Sequence, residues 1–179
     1  MTDEQLMNEV QQGKLNTLSV LFERYKGQIY GFFFRLTYDQ SLCDDLTQQV
    51  FERILRYRHS YNPTHSFRSW IFQIARNIRL DHLKRQKMPM KTTPNWDRIQ
   101  GVEGNVSESI EKREQLEALE KALHLLTDDQ REVLLLTRYQ KLKYEEVGRL
   151  LGCSEGAVKV KVYRAIRQLR TIFFKLDKL

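Results

Sequence analysis

Apolar residues recur at spacings of three and four along most of the chain, which is the period of an amphipathic α-helix. In the first half of the chain this period predicts four helices, over residues 4–11, 17–36, 41–57 and 66–87. In the second half it predicts four more, over residues 107–126, 127–139, 144–151 and from 154 onward. The pattern therefore predicts an all-α fold.

The helical period is interrupted once over a long stretch, from Met88 to about Asn105. This stretch holds two of the three prolines and two glycines, a composition typical of a linker. We therefore expect two small helical domains, residues 1–88 and 107–179, joined by a flexible linker over 89–106.

The helix predicted over 66–87 carries two neighbouring faces. One is an apolar stripe that should face a core: Phe67, Trp70, Ile71, Ile74, Ala75 and Ile78. The other alternates cations with apolar side chains: Arg68, Phe72, Arg76, Arg79 and Leu83. Guanidinium groups neutralise phosphates and a flat ring stacks on an unpaired base, so this second face suits single strands or opened duplex. A solvated basic face with long Arg stems over apolar surface explains it equally well.

Two flanking segments bear on that helix. Residues 59–66 form a loop built on Asn62-Pro63, and Ser66 is expected to cap the helix that follows. The helix before the loop, 41–57, has an acidic and amide-rich side: Asp44, Asp45, Gln48, Gln49 and Glu52. On a basic protein such a side is a candidate docking surface for another protein. On physical grounds alone, a solvated face whose acids complement the helix dipole is the simpler interpretation.

Residues 144–176 have helix-turn-helix spacing. Gly152 is expected to take a positive φ that ends the first helix, and Ser154 to cap the second. The free face of the second helix and its flanks carry Lys159, Val160, Tyr163, Arg164 and Arg167, with no acid between Glu155 and Asp177. Such a helix can enter a major groove without repelling phosphates. The alternative is a basic three-helix packing unit without a nucleic-acid role.

Composition supports an anionic partner and excludes several other classes. The 179 residues carry a net charge of +7 and a pI near 9.4, as expected of a nucleic-acid-binding protein. No apolar run approaches the roughly 20 residues that span a bilayer, and the N-terminus is acidic, so we expect a cytoplasmic protein without membrane insertion. Cys43 and Cys153 stand alone in the sequence, which predicts neither disulfide nor zinc site.

An enzyme is not expected. Asp81 and His82 could be taken for a catalytic pair, but adjacent helical residues point about 100° apart. No nucleophile, metal cluster or glycine-rich phosphate loop accompanies them. We therefore expect no cofactor, no metal and no small-molecule substrate.

Three motifs in order resemble the extracytoplasmic-function (ECF) group of bacterial RNA polymerase sigma factors, in the sigma-70 family. LCDDLTQQVFERIL resembles the family's region 2.2, and FRSWIFQIARNIRLDHLKRQK resembles regions 2.3 to 2.4. LLTDDQREVLLL and YEEVGRLLGCSEGAVKVKVYRAIRQLR resemble region 4. The resemblance implies an alternative sigma factor that binds core polymerase, recognises the −35 and −10 promoter elements, assists melting and directs initiation, with an anti-sigma factor as regulator.

The resemblance also implies roles for individual residues. The largest polymerase subunit would be bound by Asp44, Asp45, Gln48, Gln49 and Glu52. The melted −10 element, with a flipped non-template base, would be held by Tyr61, Asn62, Ser66, Arg68, Phe72, Arg76, Asn77, Asp81 and Lys84. The −35 duplex would be contacted by Lys159, Val160, Lys161, Tyr163, Arg164 and Arg167, of which Lys161 and Arg167 would bind phosphates.

Departures from the family pattern occur at Thr127, where many members have Pro, at Gln49, where they have Glu, and over 157–161. Because of the departure over 157–161, the −35 sequence preference of the family cannot be assigned to this chain. Two other classes remain open: a helix-turn-helix regulator that needs no polymerase, and a scaffold or anti-sigma-like protein that binds polymerase without contacting DNA. The first explains 107–179 but leaves the N-terminal motifs without a role.

Overall fold

The structure is a computed structural model that describes residues 1–86 and 110–176. Within these ranges the regular secondary structure is helical throughout. The chain divides into two compact units, Met1–Thr92 and Thr93–Leu179. The predicted all-α fold with two helical domains is therefore confirmed. The linker predicted over 89–106, and with it the domain limits at 88 and 107, lies outside the described residues.

The first unit contains all four helices that the apolar period predicts, with ends shifted by one or two residues. They are α1 (Asp3–Gln11), α2 (Leu18–Thr37), α3 (Gln40–Arg56) and α4 (Phe67–Arg85). Helix α1 starts one residue early because Thr2 caps it: the Thr2 hydroxyl accepts from the Gln5 N–H at 3.2 Å, and the Gln5 side chain accepts from the Thr2 N–H at 2.8 Å. Asp3 is thereby left free for a contact with α2.

Aromatic side chains from α2 and α4 form the centre of this unit. Phe32 and Phe33 of α2 and Phe67 and Phe72 of α4 are each fully buried. Tyr25 meets Phe67 edge to face with centroids 5.3 Å apart. Helix α4 packs against α1, α2 and α3, so it is covered on more than one side.

Short connections fix the directions of these helices. Tyr38 adopts a left-handed conformation (φ 55°) that ends α2, and its N–H donates to the Phe34 carbonyl at 2.7 Å. The Asp39 carboxylate then accepts from the Leu42 N–H at 3.0 Å and starts α3. Two residues therefore suffice to turn the chain from α2 into α3.

The second unit contains α5 (Ile110–His124), α6 (Asp128–Leu134), α7 (Tyr144–Leu151) and α8 (Glu155–Leu176). Thr127 caps α6: its hydroxyl accepts from the Gln130 N–H at 3.3 Å. Beyond α6 the helix widens into a π-helical turn, Leu135–Tyr139, in which the Gln140 N–H donates to the Leu135 carbonyl at 2.9 Å.

Arg131 joins α6 to the end of α5. Its guanidinium is buried and donates to the carbonyls of Leu123 at 2.9 Å, His124 at 2.6 Å and Leu126 at 2.8 Å. Carbonyls in the last turn of a helix lack partners within the helix, and one side chain satisfies two of these together with the Leu126 carbonyl in the turn that follows. This Arg is a structural residue of the turn.

Helices α7 and α8 form the predicted helix-turn-helix. Gly152 ends α7 at φ 69°, and the Ser154 hydroxyl caps α8 by accepting from the Ala157 N–H at 3.1 Å. Gly148 permits a close approach, because a Cβ at this position would lie 2.6 Å from the Cys153 carbonyl oxygen. The inner face of α8 is buried through Val158, Val162 and Ala165.

Candidate functional site

The polar side of α3 is a continuous exposed surface, here called the α3 polar face. Its members are the five predicted residues, all exposed: Asp44, Asp45, Gln48, Gln49 and Glu52. The Gln48 amide donates to the Glu52 carboxylate at 2.8 Å. The opposite side of the helix is buried through Leu46, Val50 and Ile54. The helical period therefore brings these five residues together as predicted.

An apolar border lies beside the α3 polar face. Phe22 of α2 is 38% exposed. Its ring meets Phe51 of α3 edge to face at 4.7 Å, and the Lys26 ammonium lies 5.4 Å from its centroid. The surface therefore offers both polar groups and apolar area to a partner.

Helix α4 turns a mixed polar surface outward. Asn77 and Lys84 are exposed, and Arg76 and Asp81 are partly exposed. The Asp81 carboxylate pairs with Arg53 of α3 at 3.0 Å, which fixes it toward α3. Gln73, one helical turn before Asn77, is exposed too, although it is not among the residues predicted for this surface. Its i, i+4 spacing from Asn77 could have revealed it.

Phe72 does not lie on this outward surface, and its assignment to DNA is wrong. The side chain is 0% exposed, and its ring meets Phe32 in the core. Arg79, from the same predicted basic face, is also buried. The reason is that α4 packs on α1, α2 and α3. Its buried arc is wider than one apolar stripe and includes residues that the period alone assigned to a second face.

Tyr61 also points inward, so its expected contact with DNA is wrong. The side chain is 3% exposed, its hydroxyl donates to the His65 carbonyl at 2.9 Å, and its ring lies 5.1 Å from that of Trp70. Burial raises the pKa of the Tyr61 phenol to about 12, so it remains a hydrogen-bond donor at neutral pH. Tyr61 shapes the loop from within.

Between Tyr61 and α4, the exposed part of this loop is Asn62–His65. The Asn62 side-chain oxygen accepts from the N–H of Thr64 at 3.0 Å and from its hydroxyl at 2.9 Å. Ser66 caps α4 as predicted, accepting from the Ser69 N–H at 3.2 Å. Both side chains thus organise the loop.

Arg68 is only partly exposed. Its guanidinium donates to the Gln28 side chain at 2.8 Å and lies 5.4 Å from the centroid of the Tyr25 ring. These contacts hold it against α2, at the start of α4. A nucleic-acid contact would have to share the guanidinium with them.

In the second unit, the outer face of α8 carries all six residues predicted for duplex DNA, and each is exposed: Lys159, Val160, Lys161, Tyr163, Arg164 and Arg167. Tyr163 is 66% exposed and Val160 48%. The Lys159 ammonium pairs with Glu155 at 3.3 Å, and both side chains are more than half exposed. Such a surface pair is weak, so a phosphate can replace the carboxylate at small cost.

Within residues 1–86 and 110–176, no group of three or more His, Cys, Asp or Glu is arranged to hold a metal ion. None of the helices in these ranges is long and apolar enough to span a membrane. Cys43 is buried, and burial raises the pKa of its thiol to about 12. Cys153 is partly exposed.

Comparison with known proteins gives two family matches in chain order. The model of sigma-70 region 2 matches residues 21–88, and the model of sigma-70 region 4 matches residues 116–169. The first range contains the α3 polar face, the loop and α4, and the second contains α7 and α8 as far as residue 169. The matches therefore coincide with the surfaces described above.

Similar whole proteins agree with these matches. The ECF RNA polymerase sigma factor SigM of Bacillus subtilis is 30% identical over 158 residues, which cover 88% of this chain and 95% of SigM. CnrH, solved with the cytosolic domain of CnrY, has a TM-score of 0.72 at 21% identity, covering 97% of each chain. RpoE of Bartonella quintana, solved with the anti-sigma factor NepR, has a TM-score of 0.68 at 21% identity, covering 86% of this chain and 94% of RpoE.

The two structures establish likeness of fold, whereas the sequence relationship covers nearly the whole of both proteins. Region 2 and region 4 occur in the family's order with both sets of surfaces present. This chain therefore belongs to the ECF group of sigma-70 family sigma factors, alternative initiation factors that bind core RNA polymerase and direct transcription from specific promoters.

Proposed function

We propose that the two helical units divide promoter recognition in the following way. The α3 polar face binds core polymerase, the Asn62–His65 loop with the outward side of α4 holds the opened −10 element, and α8 enters the major groove of the −35 element. The domain limits proposed for these tasks are 1–88 and 107–179, with 89–106 as the linker between them.

Charge supports the assignment of α3 to a protein partner. The chain carries a net charge of +7, yet Asp44, Asp45 and Glu52 stand together on the α3 polar face. Carboxylates repel DNA phosphates, but they complement basic groups on a protein. The exposed Phe22 ring beside them adds apolar area of the kind that protein interfaces bury.

The −10 assignment depends on polar groups and no longer on a stacking ring, because Phe72 is buried. Asn77 and Gln73 offer amides to base edges, while Arg76 and Lys84 offer cations to phosphates. Extruding a base costs a few kcal/mol. We infer that the loop and this polar side offset that cost through hydrogen bonds and phosphate contacts.

The observation that carries the proposal is the exposed row on α8. Lys159, Tyr163 and Arg164 lie opposite the buried Val158 and Val162. The helix is therefore held by one side and presents cations and hydrogen-bonding groups on the other. Val160 provides an apolar contact that fits a thymine methyl group, and Lys161 and Arg167 bind phosphates.

Regulation by an anti-sigma factor belongs to the same proposal. Its support is the family resemblance, together with the Bartonella quintana structure in which a protein of this fold is bound to an anti-sigma factor. We infer that such a partner covers the α3 polar face. The protein would act in the cytoplasm, at the nucleoid during initiation, as a non-catalytic subunit of the polymerase.

Run-off transcription with purified core polymerase tests the proposal. Added protein should yield discrete transcripts from promoters of its own genome, and no specific initiation on any of them would contradict it. Asp45→Arg with Glu52→Arg should abolish polymerase binding while leaving duplex binding by α8 intact. Glu111→Arg, which reverses an exposed acid on α5, is the matched control and should have no effect.

A further inference from the structure

Helix α1 contacts the backbone at the start of the Asn62–His65 loop. The Gln11 side-chain amide donates to the carbonyls of both Arg58 and Tyr61, each at 2.9 Å. Arg58 is the first residue of the short 3-10 turn Arg58–Ser60, and Tyr61 follows that turn and directly precedes the loop. One side chain of α1 therefore fixes the point at which the loop begins.

A second side chain of α1 fixes the point at which the loop ends. A Glu4 carboxylate oxygen accepts from the Phe67 N–H at 3.1 Å. Phe67 is the first residue of α4, and its N–H is one of those that have no partner within the helix. Glu4 thus supplements the Ser66 cap from 63 residues away in sequence.

Helix α1 is itself firmly anchored. Leu6, Met7 and Val10 are buried, and the Asp3 carboxylate accepts from the Arg24 guanidinium at 2.6 Å and from the Tyr25 hydroxyl. The match to sigma-70 region 2 begins at residue 21, so α1 lies before it. The anchoring means that Gln11 and Glu4 hold the loop against a fixed support.

We propose that α1 is a positioning element for −10 recognition, in which Gln11 and Glu4 hold the Asn62–His65 loop in the shape that receives the extruded base. This inference rests on the proposed function of that loop. A loop held in its bound shape avoids the conformational entropy that a mobile loop loses on binding. Neither side chain contacts DNA in this proposal, because both act through the loop backbone.

The test uses holoenzyme and a single-stranded non-template oligonucleotide with the −10 element of a promoter from which the protein initiates. A second oligonucleotide lacks the extruded base but keeps its sugar and phosphates. Gln11→Ala should weaken binding of the intact oligonucleotide about tenfold, since two hydrogen bonds are lost. Its effect on the abasic oligonucleotide should stay below about twofold, because no base remains to be captured. Gln12→Ala, at the exposed neighbouring residue of the same type, is the control and should leave both unchanged.

Glu4 provides an independent comparison. Glu4→Gln keeps an oxygen that can accept from the Phe67 N–H and should retain base-dependent binding, whereas Glu4→Ala should lose it. Polymerase affinity and melting temperature, measured for each variant, should remain near the wild-type values. A purely structural role would weaken both oligonucleotides alike.

The outcomes separate this inference from the function on which it rests. Equal weakening of both oligonucleotides by Gln11→Ala would overturn the inference, as would no weakening of either while Asn77→Ala selectively impairs the intact one. In the second case the proposed −10 site would be retained, but α1 would have no part in positioning it. If Asn77→Ala, Gln11→Ala and Glu4→Ala all fail to distinguish the two oligonucleotides, the proposed −10 site itself is wrong.

Discussion

Phe72 meets Phe32 edge to face in the core of the first unit, with ring centroids 5.4 Å apart and ring planes at 77°. Both side chains are 0% exposed. The contact joins α4 to α2 and places the aromatic ring where no base can reach it. Phe72 is therefore a residue on which folding of the unit depends.

Phe72→Ala is expected to lower the free energy of unfolding of the first unit by about 3–5 kcal/mol, because a buried ring is replaced by a cavity. Denaturant unfolding followed by Trp70 fluorescence, in a Trp96→Phe background, measures the change. Gln73→Ala, at the exposed neighbouring position, should stay within about 0.5 kcal/mol of wild type. If the Phe72→Ala protein were as stable as wild type and defective only in promoter opening, the result would contradict this structural role and favour a contact between the ring and DNA.

Arg131→Met is expected to destabilise the second unit by about 3 kcal/mol, since two buried carbonyls and one partly buried carbonyl lose a charged donor. Hydrogen exchange should show lower protection within residues 110–176 and unchanged protection within 1–86. Arg149→Ala removes an exposed i, i+4 pair with Glu145 and should change little. Wild-type protection in the Met variant would mean that water replaces the guanidinium at the turn.

Two glycines of the helix-turn-helix should respond oppositely to alanine. Gly148→Ala puts a Cβ 2.6 Å from a backbone oxygen and should cost about 1–3 kcal/mol through displacement of the turn. At Gly156 the nearest atom is 3.9 Å from the new Cβ, so Gly156→Ala should gain about 0.5–1 kcal/mol from helix propensity. Thermal unfolding of both variants measures the difference, and the same sign in both would contradict it.

Lys159→Glu with Arg164→Glu is expected to weaken binding to the −35 duplex by roughly 100-fold without changing the melting temperature, because base and phosphate contacts are both lost. The dependence of affinity on salt should become shallower. Lys175→Glu reverses an exposed charge near the end of the same helix and serves as the control. Unchanged duplex binding in the double variant would favour the scaffold class over a DNA-binding one.

The α3 polar face and the α8 row could be predicted from sequence because each helix buries a single side. Buried Leu46, Val50 and Ile54 leave one arc of α3 in solvent, and Val158, Val162 and Ala165 do the same for α8. In such helices the position of the apolar stripe also gives the position of the exposed face on the other side. The helix-turn-helix could be predicted equally well, because Gly152 ends α7 and Ser154 caps α8 through contacts with residues close by in sequence.

Helix α4 was harder to predict because its buried residues, which include Phe72 and Arg79, cover a wider arc than the apolar stripe. The period locates an apolar stripe but does not give the width of the buried arc. The arc of α4 is wide enough to include Phe72, which is therefore buried. Contacts between residues that are far apart in the sequence could not be predicted either. The Glu4 contact spans 63 residues, and the partners of Arg131 are backbone carbonyls whose need for a donor depends on where α5 ends.

The π-helical turn Leu135–Tyr139 makes the length of the chain at this point as important as its composition. The Gln140 N–H bonds to a carbonyl five residues back, where a regular α-helix would use the fourth. Deleting one residue would restore regular bonding, but each residue turns a helix by about 100°. The chain that leaves the turn would be rotated by that angle, so the contacts of α7 with the turn and of α8 with α6 could not both be kept. A single-residue deletion in this turn should therefore lower the stability of the second unit, although no residue of α8 is changed.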